Sequence, residues 1–192
     1  MSTNIMIVGV GGQGTLLASR ILGNALLSQG YDVKISEVHG MSQRGGSVVT
    51  YVKYGEAVYS PVICRGEADV ILSFEQLEAA RWLPYLKPDG VMITNIQQMN
   101  PMPVVTGAAE YPENLIGKME EKGVKVVAVD ALAVAREAGT EKAANVALIG
   151  VMSAVLDMDA ALLTETIKET VPAKFLDVNL KAFQLGRALG GK

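Results

Sequence analysis

Cysteine, histidine and tryptophan each occur once in the 192 residues. The single cysteine, Cys64, excludes an internal disulfide and any metal or iron–sulfur site built from cysteines of this chain alone. It suits a reducing, cytoplasmic compartment. Cys64 lies in an apolar run, where it is expected to be buried as a small hydrophobe. Basic clusters are also lacking: the formal net charge is -3, which argues against nucleic acid as a ligand. No apolar stretch suits a bilayer. The longest uncharged helix candidate, 143–156, falls short of the roughly 20 residues that a spanning helix needs. Met1-Ser2-Thr3-Asn4 leads straight into a strand, so neither a signal peptide nor a membrane partner is expected. Linkers, repeats and low-complexity segments are missing, so one domain over residues 1–192 is expected.

What the chain has in excess is apolar surface. Hydrophobic residues make up 49%, and the mean hydropathy is +0.27. The excess points to a buried sheet and to a surface meant for a partner. Ile5 to Val8 reads as a buried strand. Thr15 to Ser28 reads as a helix with Leu16, Leu17, Ile21 and Leu26 toward the sheet, closed by Gly30. Tyr31 to Ser36 reads as the next strand, a βαβ opening that favours parallel neighbours. Ser47 to Lys53 and Ala57 to Ile63 read as a hairpin around Tyr54-Gly55-Glu56. Strands are expected near 70–73, 91–96 and 124–129, with helices near 75–86, 112–122, 131–138, 143–156, 159–169 and 174–189. The fold class is therefore α/β: a Rossmann-like three-layer sandwich with a mostly parallel sheet, a local β-hairpin and a helical C-terminal third.

Two glycine-rich segments carry the functional signal. Gly9, Gly11 and Gly14, with Gly12 and Gln13 between them, match G-x-G-x-x-G after a strand and before a helix. Glycine lets the backbone approach a ligand, and the helix amino end favours an anion. Glu37 closes the second strand, where a dinucleotide-binding protein places its ribose-binding acid. Three readings stay open: a nicotinamide or flavin site, glycines that only permit close packing, or a non-nucleotide ligand or partner contact. The last is preferred, because Glu37 belongs to a second motif, Glu37-Val38-His39-Gly40-Met41-Ser42-Gln43-Arg44-Gly45-Gly46-Ser47-Val48. That motif would crowd an adenosine. Polar residues on a long connection between rigid strands are where function gathers.

Together the two motifs resemble the gamma-type component of 2-oxoacid:ferredoxin oxidoreductases, and the similarity runs over nearly the whole chain. Its core is Gly11-Gly12-Gln13-Gly14 and Arg44-Gly45-Gly46, supported by Ser60-Pro61, Ala68-Asp69, Leu83 to Gly90 and Asn145 to Gly150. The string from Glu37 to Met41 with Gln43 to Gly46 looks like the small subunit of the indolepyruvate branch. Pyruvate-type gamma subunits, the alternative, tend to carry Gly-Pro-Glu before Arg-Gly-Gly. The resemblance implies oxidative decarboxylation of an aryl pyruvate to an aryl-acetyl-CoA, with CoA as co-substrate. It implies thiamine diphosphate, magnesium and iron–sulfur clusters on a large (alpha) partner subunit, which passes electrons to ferredoxin within a hetero-oligomer. This chain lacks the Gly-Asp-Gly common in thiamine diphosphate sites, so no cofactor and no catalytic residue of its own is expected. Rival classes are an NAD(P)-binding oxidoreductase and a nucleotide-sensing module, since a fold does not fix a function.

Within this frame Arg44 is the first candidate. A guanidinium can make two parallel hydrogen bonds to a carboxylate or phosphate: a 2-oxoacid, CoA, an acid of the large subunit, or Glu37 of the same loop. His39 either moves a proton near neutral pH or serves as a satisfied donor. Gln43 binds substrate or closes the loop. Gly40, Gly45 and Gly46 are expected to permit positive φ. Met41 completes the contact loop, Met99 and Met102 suit an adaptable interface, and Asp130 is expected to cap the helix at Ala131.

Overall fold

The computed structural model describes residues 2–37 and 45–191. Ile5, Met6, Ile7 and Val8 have no exposed surface, as a strand covered on both faces requires. They belong to β1 (Ser2–Val10). Alternate residues of β1 enter different cores. Ile5 and Ile7 pack with Ile21, Val146, Ile167 and Phe183, whereas Met6 and Val8 pack with Ala79, Met92 and Met119. Helices α1 (Thr15–Ser28), α6 (Ala144–Val155), α7 (Ala160–Thr170) and α8 (Leu176–Gly190) supply the first layer. Helices α2 (Gln76–Trp82) and α4 (Leu115–Glu121) supply the second. The result is a Rossmann-like three-layer α/β sandwich.

The sheet also contains β2 (Asp32–Glu37), β3 (Ser47–Gly55), β4 (Ala68–Ser73), β5 (Leu86–Asn95) and β6 (Lys125–Val129). Its order is β2-β3-β1-β4-β5-β6. The β1–β4, β4–β5 and β5–β6 pairs are parallel. β3 runs antiparallel to both β1 and β2, so β1 and β2 point the same way with β3 between them. This corrects two expectations. β2 is not the neighbour of β1, and the hairpin between 47–53 and 57–63 does not form. Both edges of β3 are occupied by β1 and β2, so residues 56–67 have no ladder to join and form no strand. β3 makes its antiparallel pairs with β1 and β2 instead. Lys87-Pro88-Asp89-Gly90 lies inside β5, where the β4–β5 register shifts between Ala68 and Val70.

The C-terminal third is helical, as expected: α5 (Ala131–Ala138) is followed by α6, α7 and α8. Helices α6 and α8 touch backbone to backbone. A Cβ added at Gly186 would lie 2.0 Å from the Ala147 carbonyl oxygen, and one at Gly150 would lie 2.3 Å from that of Phe183. Glycine is what lets this layer close over β1 and α1. The short α3 (Met102–Val105) follows β5.

Candidate functional site

Because β1 and β2 run in the same direction, both glycine segments emerge at the carboxyl edge of the sheet, the usual place for ligands in α/β folds. They meet there. The Gly11 N–H donates to the Gly46 carbonyl at 2.8 Å, and the Gly45 N–H donates to the Gly11 carbonyl at 3.0 Å. Gly11 is thus clasped on both sides. Gly45 adopts φ 84°, the left-handed region that glycine allows without cost. Gly46 has no positive φ, contrary to expectation.

Gln13 folds back under the turn. Its Oε1 accepts from the Val10 N–H at 2.7 Å, and its Nε2 donates to the Phe74 carbonyl and to Gln97 Oε1, both at 3.1 Å. It braces the turn against β4 and β5. Gly14 is the N-cap of α1 at φ 87° and provides no side-chain cap. The buried Asn145 Nδ2 donates to the Gly14 carbonyl at 3.2 Å. The amino end of α1 therefore stays available to an anion.

A cavity of about 500 Å³ opens beside this turn, within the range of small-molecule sites. The glycine turn, Asn95 and Gln97 give it polar walls, Met99, Leu132 and Leu148 give it apolar ones, and Lys142 lies at the rim. Asn95 ties the floor together. Its Nδ2 donates to the Phe74 carbonyl at 3.3 Å, and its Oδ1 accepts from the Ala131 N–H at 3.0 Å.

The sequence reading missed a pair of buried acids at the start of α2. Glu75 is 1% exposed and Glu78 is 4% exposed. Glu75 Oε2 accepts from the Glu78 N–H at 2.9 Å and so caps α2, while its Oε1 accepts from the Met99 N–H at 3.1 Å and from the Tyr111 hydroxyl. Burial, then the bond to Glu75, pushes the Tyr111 phenol above its ordinary range. Glu78 accepts from Ser47 Oγ, from Trp82 Nε1 at 3.3 Å and from Arg81 Nε at 3.1 Å. The available signal was their place just after β4, at the sheet edge where the glycine motifs also end.

The other candidates divide. Glu37 Oε1 accepts from Ser19 Oγ of α1 at 2.7 Å. With β3 inserted, Glu37 is not placed as the ribose-binding acid of adjacent β1 and β2 strands. His39, Gly40, Met41, Gln43 and Arg44 lie outside the described residues. Asp130 caps α5, accepting from the Ala133 N–H at 2.9 Å. Met99 lines the cavity and Met102 is 68% exposed. Cys64 is exposed, not buried. Its segment forms no strand, and the buried side chain is its neighbour Ile63.

A family model described as pyruvate ferredoxin/flavodoxin oxidoreductase matches residues 4–189. Over 188 residues the chain is 47% identical to the indolepyruvate oxidoreductase subunit IorB of Thermococcus kodakarensis, covering 95% of this chain and 93% of that protein. It is 38% identical over 198 residues to the protein of the same name from Archaeoglobus fulgidus, covering 100% and 98%. A solved keto/oxoacid ferredoxin oxidoreductase gamma subunit from Geobacter sulfurreducens matches with a TM-score of 0.72 at 24% identity, covering 98% of each chain. The 2-oxoglutarate:ferredoxin oxidoreductase of Magnetococcus marinus, solved with 2-oxoglutarate, coenzyme A and succinyl-CoA, matches with a TM-score of 0.74 at 20% identity, over 98% of this chain and 31% of that one. At these identities the two structures speak to the fold alone.

Proposed function

The chain belongs to the pyruvate ferredoxin/flavodoxin oxidoreductase family, and from that membership we propose that it is the small subunit of an indolepyruvate:ferredoxin oxidoreductase. The observation that carries this reading is the 47% identity to a relative named as an indolepyruvate oxidoreductase subunit, over 93% of that relative's length. The reaction is the oxidative decarboxylation of an aryl pyruvate to its acyl-CoA, with ferredoxin as acceptor. Thiamine diphosphate would supply the carbanion chemistry and iron–sulfur clusters the electron path. The described residues, and the one cysteine of the full sequence, do not fit those groups. Among the described residues no cluster of three or more His, Cys, Asp or Glu can hold a metal ion, and the single cysteine is exposed. The proposal therefore places thiamine diphosphate, magnesium and the clusters on a large alpha subunit, in a cytoplasmic hetero-oligomer. No helix among the described residues is long and apolar enough to cross a membrane.

What this chain contributes is an edge that binds and orients. The uncapped amino end of α1 and Lys142 suit the phosphates of CoA or a carboxylate of the partner. Gly9, Gly11, Gly12, Gln13 and Gly14 form the ligand or partner turn. Contact with substrate, CoA or the large subunit is assigned to the motif of Glu37, His39, Gly40, Met41, Gln43, Arg44, Gly45 and Gly46. The role assigned to Arg44 is to hold a carboxylate or phosphate, and that of His39 to serve as donor or proton carrier.

The test is reconstitution. The large subunit is made anaerobically with and without this chain, and reduction of ferredoxin is followed with indolepyruvate or pyruvate in the presence of CoA. Activity is expected only with both chains, and indolepyruvate is expected to have the higher kcat/KM. Full turnover by the large subunit alone, or a preference for pyruvate, overturns the proposal.

A further inference from the structure

We infer that the first turn of α2 is a two-pronged positioning element for the sheet-edge site: Glu78 fixes the Gly45–Ser47 corner, and Glu75 fixes the Met99 wall of the cavity. The inference deepens the subunit role proposed above, and its kinetic test rests on that role. The starting point is cost. A carboxylate withdrawn from water must be hydrogen-bonded to be tolerated, and α2 buries two of them within one turn. Capping α2 explains only one oxygen of Glu75, and Asp, Asn or Ser would cap as well. Its other oxygen reaches 24 and 36 residues along the chain, to the Met99 N–H and the Tyr111 hydroxyl.

Gln76 strengthens the same prong. Its Nε2 donates to the Ile96 carbonyl at 2.8 Å and its N–H to the Gln97 carbonyl at 3.1 Å. Residues 96–99, which bring Gln97 and Met99 to the cavity, are thereby tied to α2.

The Glu78 prong runs the other way. Ser47 donates its hydroxyl to Glu78 and directly follows Gly46, whose carbonyl holds the Gly11 N–H. One continuous path of hydrogen bonds and backbone therefore leads from a helix on one side of the sheet to the glycine turn at its edge. Trp82 and Arg81 donate to the same carboxylate, so Glu78 has little freedom to follow Ser47 if that corner shifts. Both acids act through other residues. They are positioning residues, not catalytic ones.

The experiment uses the full chain, alone and in the reconstituted complex. Ser47→Ala and Glu78→Ala cut one prong, and Ser47→Thr restores the hydroxyl at a strand position that tolerates a β-branched residue. In the isolated chain, hydrogen exchange at the Gly11 and Gly45 amides should quicken about 10-fold in both cutting variants, the scale of one charge-assisted hydrogen bond. The Thr variant should return to the wild-type rate. In the complex, KM for CoA or the 2-oxoacid should rise about 10-fold, with kcat less affected and with rescue by Thr. Unchanged exchange at these two amides overturns the inference, even if melting temperature falls. An inactive wild-type complex would instead count against the subunit role, and the exchange result would still decide the inference.

Discussion

Replacing Gly14 by alanine tests the glycine turn where it meets α6. At φ 87° an L-residue pays for the left-handed backbone, about 1–2 kcal/mol. The added Cβ would also lie 2.4 Å from Asn145 Nδ2, more than 1 Å inside an ordinary contact of roughly 3.5–4.0 Å. Asn145 must withdraw, and the bond from its Nδ2 to the Gly14 carbonyl breaks. Asn145 is only 5% exposed, so water cannot replace that bond freely, and the loss adds about 1–3 kcal/mol. The total is about 3 kcal/mol, a large share of a typical domain's 5–15 kcal/mol. Gly12→Ala is the matched control. Its φ of 103° carries the same kind of strain, but an added Cβ meets nothing within 4 Å. It should cost only about 1–2 kcal/mol. Urea midpoints for the two variants, and for Gly14→Ala combined with Asn145→Ala, give the answer. Equal losses for the two glycines, or simple additivity in the double variant, would refute the role assigned to Asn145.

Two further outcomes are expected. Tyr111 keeps its proton in the folded chain beyond the pH at which the unfolded phenol, near 10.0, gives it up. The folded state then binds more protons, so this contribution is complete below about pH 10 and declines as pH rises further. Tyr111→Phe should flatten the alkaline fall in urea midpoint, and an unchanged slope would count against the Tyr111–Glu75 contact. Arg44→Lys keeps the charge but loses the planar fork, so assembly affinity or turnover should drop about 10- to 100-fold. Titration of the large subunit and steady-state kinetics separate those two, and wild-type values in both would remove Arg44 from the site.

Local signals in the sequence translate well into local structure. Thr15–Ser28 and Ala131–Ala138 are helices between the limits expected of them, because apolar periodicity, a closing Gly30 and the Asp130 cap all act within a turn of the chain. Strand direction alone puts both glycine segments at one sheet edge, since β1 and β2 run the same way even with β3 between them. The position of β3 was not legible. Val48 to Val52 has the pattern of a strand, but alternation says which face is buried and nothing about which neighbours it pairs with. Cys64 shows the same limit: in Ile63-Cys64 only the fold decides which side chain turns inward. Nothing local in the sequence marks Glu75 and Glu78 as buried, because their partners Ser47, Met99 and Tyr111 are remote in sequence.

The insertion of β3 separates the length of the connection before it from the register of the sheet. Residues 38–46 join antiparallel neighbours whose registers are held independently, Glu37 opposite Thr50 on one side and Gly9 opposite Val48 on the other. Lengthening such a connection moves no strand, and even doubling it costs only about 0.6 kcal/mol in closure entropy. A crossover between parallel strands would have to drag a helix with it. The sheet thus behaves as a chassis: the length of this connection can change while the register of the strands on either side stays as it is.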